Sequence, residues 1–98
     1  MLKTDPDVLK GNYEHQGFVV VNELFDEIEV AEFRWATDEL VEQSRSLRKS
    51  DAQFDLEPEH SEANPRVQRI KVPHKRSDVF GRAVRNPKLL RVLKILLG

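Results

Sequence analysis

Arg69 and Lys71 stand two residues apart in the run Val67-Gln68-Arg69-Ile70-Lys71-Val72. In an extended chain successive side chains alternate between faces, so both cations point the same way with Cα atoms ~6.6 Å apart. Arginine offers a planar fork matched to a carboxylate or phosphate, and lysine adds a mobile point charge. If their face lines a cavity, the pair suits a dicarboxylate or a phosphate. On the outer face of an edge strand, the same spacing is merely solvated. A second constellation, His60-Ser61-Glu62 with His74 further on, has the His-x-carboxylate spacing of a two-histidine, one-carboxylate iron site. It lies in a Pro-flanked polar segment, and ligand precision needs rigid support, so no metal ligand is assigned. His15 falls at a helix end, where it complements the helix dipole. No Gly-rich phosphate loop, G-x-S-x-G elbow or H-E-x-x-H helix occurs, and no catalytic residue is assigned.

The elements that must position these groups read as follows. Thr4 with Asp7 resembles a capping box opening a short helix over residues 5–15, which Gly17 ends. Phe18-Val19-Val20-Val21 has the continuous apolar pattern of a strand covered on both faces. Asp26 with Glu29 caps a helix over residues 27–47, its inner face marked by Val30, Phe33, Thr37, Leu40, Val41 and Leu47. Ile28 and Trp35 lie off that face. Residues 50–65 are polar, carry Pro58 and Pro65, and read as a long loop with Phe54 and Leu56 tucked inward. A second strand spans 67–72 and stops at Pro73. Ser77 caps a short helix over 78–85, and Asn86-Pro87 opens a last helix ending at Gly98. That helix carries Leu89, Leu90, Val92, Leu93, Ile95, Leu96 and Leu97, leaving only Lys88, Arg91 and Lys94 as a polar stripe. A helix apolar over most of its circumference needs partners on several sides.

Composition narrows the field. The 98 residues allow one small domain at most, with 39% apolar and 34% charged positions. Cysteine is absent, which excludes disulfides and thiolate metal sites and fits a cytoplasmic setting. No segment approaches the ~18–20 apolar residues of a membrane span, and no signal-peptide hydrophobic region follows Met1. A net charge of −1 conceals a division: residues 1–65 hold 16 acids and 6 bases, residues 66–98 hold 10 bases and one acid, Asp78. Either the basic segment meets an anionic partner, or the two halves of one fold pair their charges. With one aromatic, Phe80, and no nucleic-acid motif in that segment, the second reading is preferred and no nucleic-acid partner is expected.

In order, these pieces resemble a known family. Tyr13-Glu14-His15-Gln16-Gly17-Phe18-Val19-Val20-Val21, then Leu24-Phe25-Asp26 and an acidic helix with Glu29-Val30, resembles the start of the phytanoyl-CoA dioxygenase family. Arg69-Ile70-Lys71-Val72-Pro73-His74-Lys75, then Val79-Phe80 and Asn86-Pro87 through Leu96-Leu97-Gly98, resembles the family's next stretch. Glu27-Ile28 departs from the Pro-Glu common there. The resemblance implies an Fe(II)- and 2-oxoglutarate-dependent oxygenase on a double-stranded β-helix, a jelly-roll barrel. Such an oxidoreductase hydroxylates an unactivated C–H bond of a small-molecule substrate while 2-oxoglutarate becomes succinate. It also implies that Arg69 contacts 2-oxoglutarate, with Lys71 its neighbour on the same face. The family's His-x-Asp, distal histidine and carboxylate-clamping arginine have no counterpart in residues 1–98.

The expected fold is therefore α+β: N-terminal helices, two strands of an incomplete jelly-roll and a C-terminal helical pair. The whole of 1–98 reads as the N-terminal fragment of such a domain, inactive alone and holding neither iron nor 2-oxoglutarate stably. The alternative is a free-standing module that binds an anionic partner through residues 66–98. Self-association through the exposed last helix is expected of the fragment, whereas a free-standing module would be monodisperse and unfold cooperatively.

Overall fold

The computed structural model describes residues 4–98. Among these residues, four helices and a two-stranded antiparallel sheet run in the order α1 (Pro6–Gln16), α2 (Glu27–Ser44), β1 (Phe54–Leu56), β2 (Val67–Ile70), α3 (Asp78–Ala83) and α4 (Pro87–Leu97), with a 3-10 turn at Pro73–Lys75. The α+β class holds.

The helix ends follow local chemistry. Asp5, rather than Thr4, caps α1, its carboxylate accepting from the Asp7 N–H at 2.7 Å. Gly17 closes that helix at φ 81°, a left-handed conformation that an L side chain resists, and its N–H donates to the Tyr13 carbonyl. A full capping box joins Asp26 and Glu29 at the start of α2, each side chain accepting from the other's N–H. Asn86 caps α4 with Pro87 at its first position.

The expected strand at 18–21 does not form. Those residues are coil, with Phe18 61% and Val20 70% exposed. Strand propensity needs a partner edge, and among the described residues the sheet joins only two other segments, 54–56 and 67–70. The partner of β2 comes instead from the segment read as loop. Phe54 pairs with Ile70, Asp55 with Arg69 and Leu56 with Val67, with a bulge between Asp55 and Leu56. The 67–72 strand is also shorter than expected. Val72 leaves it at φ 45° and ψ 53°, a left-handed conformation that is costly for a β-branched residue.

A small core joins these elements. Leu9, Ala36, Leu40, Phe54 and Val92 are buried, as is Ser44, whose hydroxyl donates to the Val41 carbonyl. Ala36, Leu40 and Ser44 share one stripe of α2 at four-residue spacing. Phe33 meets Phe25 edge-on at 5.0 Å and stacks on Phe80 of α3 at 5.6 Å. α1 packs on α4, while α2 carries α3 and touches β2. The body is elongated, 48 × 28 × 20 Å. Its radius of gyration of 16.8 Å exceeds the ~13 Å of a compact domain this long. No helix among the described residues is long and apolar enough to cross a membrane.

Candidate anion-binding site

The β1–β2 hairpin builds the site. Antiparallel pairing sets Asp55 directly opposite Arg69, and two-residue periodicity brings Lys71 to the same face. Arg69 Nε lies 2.9 Å from Asp55 Oδ2, and Lys71 Nζ lies 2.9 Å from Asp55 Oδ1. The two cations thus grip the two oxygens of one carboxylate. Lys71 Nζ also donates to the Asp51 carbonyl at 3.0 Å, and its backbone N–H donates to the Gln53 carbonyl. The Arg69 side chain is 72% exposed, whereas Lys71 is half-buried. The hydrogen bond from Lys71, and then the Lys71 and Arg69 charges, hold the Asp55 carboxyl below its ordinary range against an opposing desolvation.

A second carboxylate supports the hairpin's entry. Asp51 Oδ1 accepts from the Gln53 and Phe54 N–H groups at 2.7 and 2.8 Å, a local turn that starts β1. These bonds hold the Asp51 carboxyl low, helped by the Arg76 and Lys71 charges. Arg76 lies over the Phe54 ring, 5.9 Å from its centroid, and its buried Nε has no hydrogen-bond partner among the described residues.

The histidines do other work. His60 Nδ1 accepts from the Arg66 N–H at 2.9 Å, so its proton sits on Nε2, which donates to the Ser44 carbonyl at 3.1 Å. The ring therefore ties the hairpin loop to the end of α2, sharing the Ser44 carbonyl with the Leu47 N–H, which donates to it at 3.0 Å. The Arg45 guanidinium adds a bond to the Glu62 carbonyl at 2.6 Å. Both ring nitrogens of His60 are engaged by the backbone. The described residues bring no three His, Cys, Asp or Glu side chains together as metal ligands.

Charges of the two sequence halves meet across the fold. Arg66 pairs with Glu57, Arg82 with Glu32 and Lys88 with Glu29, besides the Asp55 pairs. Lys88 is the main cause of the low Glu29 carboxyl, followed by the Asp26 N–H. Asn86 also donates to Glu29, so one carboxylate serves the caps of α2 and α4 together.

Sequence reasoning missed Asp55 as the partner of both cations. Its signal was present: Phe54-Asp55-Leu56 alternates apolar, polar, apolar, the pattern of a short half-buried strand. The chain matches no protein-family model, no curated protein and no solved structure.

Proposed function

We propose that this chain supplies N-terminal elements of an Fe(II)- and 2-oxoglutarate-dependent oxygenase of the phytanoyl-CoA dioxygenase type, with Arg69 and Lys71 as a cationic wall for the cosubstrate. One observation carries the reading: the two side chains converge on both oxygens of a single carboxylate, at 2.9 Å each. A pair so disposed has the donor chemistry for a 2-oxoglutarate carboxylate. Asp55 occupies that place in the present arrangement and is the group a diacid would displace. Arg69, largely exposed, is free to swing outward without unpacking the core. The rest of the jelly-roll, the iron ligands and the substrate pocket would come from residues outside 1–98, and this chain alone is proposed to lack oxygenase activity. When bound, iron and 2-oxoglutarate would supply the C–H oxidation; the residues here would only seat the diacid. A cytoplasmic setting accords with the absence of cysteine.

The test uses Asp55→Asn, which removes the internal competitor's charge and keeps its shape. Titrating 2-oxoglutarate into the labelled variant should shift the amide signals of residues 53–56 and 67–71, with succinate weaker and acetate ineffective. Adding Arg69→Ala and Lys71→Ala should abolish the shifts. Equal response to acetate, or shifts that survive loss of both cations, would overturn the proposal.

A further inference from the structure

Two helices present apolar stripes to solvent with the same spacing and opposite charge. On α4, Leu90, Leu93 and Leu97 are exposed at i, i+3 and i+7, with Val92 buried on another side. Arg91 and Lys94 border that stripe, both exposed, and neither belongs to an ion pair among the described residues. On α2, Ile28, Ala31 and Trp35 repeat the i, i+3, i+7 pattern, with Ile28 71% and Trp35 59% exposed. They line an apolar depression with Glu27 and Glu32 at its margin. At 3.6 residues per turn, Asp38 and Glu39 fall on either side of this stripe. The leucine stripe thus has a basic border and the Ile28–Trp35 stripe an acidic one.

The surface area agrees with a missing partner. The chain exposes 7475 Å². A compact monomer of 11.4 kDa exposes about 5,800 Å², so the excess is about 1,700 Å². A standard interface needs about 800 Å² from each partner.

From matched spacing, complementary borders and this excess, we infer that the occupant of each stripe is a second copy of this chain: α4 of one protomer lies on α2 of its partner. In a two-fold pair the contact occurs twice, and all four stripes leave water. The Leu90, Leu93 and Leu97 side chains would enclose Trp35 and Ile28, while Arg91 and Lys94 meet Asp38 and Glu39. This pairing stands apart from the oxygenase reading, since neither Arg69 nor Lys71 takes part.

Sedimentation of the full chain from about 1 to about 200 µM should show growth from 11.4 kDa to twice that mass. Trp35 is the single tryptophan, so its emission should move to shorter wavelength over the same range. Two charge-reversed chains decide which faces meet. Asp38→Lys/Glu39→Lys and Arg91→Glu/Lys94→Glu should each weaken self-association about tenfold or more, because like charges then face each other. Mixed in equal amounts they should pair again, since reversed borders on one side meet reversed borders on the other. A wild-type chain that stays at 11.4 kDa with unmoved Trp35 emission would overturn the inference. So would reversed chains that associate as tightly as wild type, or a mixture that stays monomeric.

Discussion

Replacing His60 with alanine tests the assignment of this side chain as a structural tie instead of a metal ligand. Two hydrogen bonds depend on the ring: Nε2–H to the Ser44 carbonyl at 3.1 Å and the Arg66 N–H to Nδ1 at 2.9 Å. A hydrogen bond contributes about 0.5–1.5 kcal/mol net, so losing both costs about 1–3 kcal/mol. For a chain this size total stability is about 5–15 kcal/mol, and an elongated body with so small a core belongs near the lower end. With a urea slope near 1 kcal/mol per molar, the unfolding midpoint should fall by about 1–3 M. The loss should also be local. Hydrogen exchange at the Arg66 amide should accelerate well beyond that of Gly81, whose N–H donates to the Ser77 carbonyl at the start of α3 and not to the ring. Glu62→Ala is the control, because Glu62 contributes its backbone carbonyl to the Arg45 bond. It should change stability by less than about 0.5 kcal/mol. The reasoning fails if Arg66 exchange is unchanged in the His60 variant. It fails equally if Fe(II) or Zn(II) stabilises the wild-type chain and that gain disappears on either substitution.

Three further outcomes follow from the same geometry. Asp51, Asp55, Glu29 and Glu42 all have carboxyls held low in the fold. Their stabilisation is complete above the ordinary carboxyl range and is lost as pH falls below about 4. Asp55→Asn should therefore lower the melting temperature at pH 7, and its gap from wild type should narrow as pH falls below about 4; a pH-independent gap would contradict this. Phe54→Ala removes a buried ring from the hairpin and the support beneath Arg76, and should cost about 3–5 kcal/mol, most of the chain's stability, read as a large fall in the urea midpoint by circular dichroism. Val72→Gly should be neutral or stabilising in thermal melts. It relieves about 1–2 kcal/mol of left-handed strain at φ 45°, offset by about 0.5–1 kcal/mol of added chain entropy. A clear loss of stability would mean that the half-exposed Val72 side chain packs more than its exposure indicates.

What the sequence alone determined is the local grammar. Asp26 with Glu29, Gly17 and Asn86-Pro87 mark ends of helices because caps and left-handed turns depend on residues a few positions apart, whereas Ser77 stands at the start of α3 without a capping bond from its side chain. The shared face of Arg69 and Lys71 was legible for the same reason, since alternation is a property of one strand. Tertiary structure decided whatever needed a partner distant in the chain. Phe18-Val19-Val20-Val21 has the stronger strand composition, yet Phe54-Asp55-Leu56 became the strand because the hairpin supplied its ladder. The same pairing set Asp55 between the two cations. His60 became a tie between loop and helix because the fold brought the Ser44 carbonyl and the Arg66 N–H to opposite sides of one ring. Hydrogen bonds and ion pairs act over a few ångströms of space, and only the folded path decides which residues come that close.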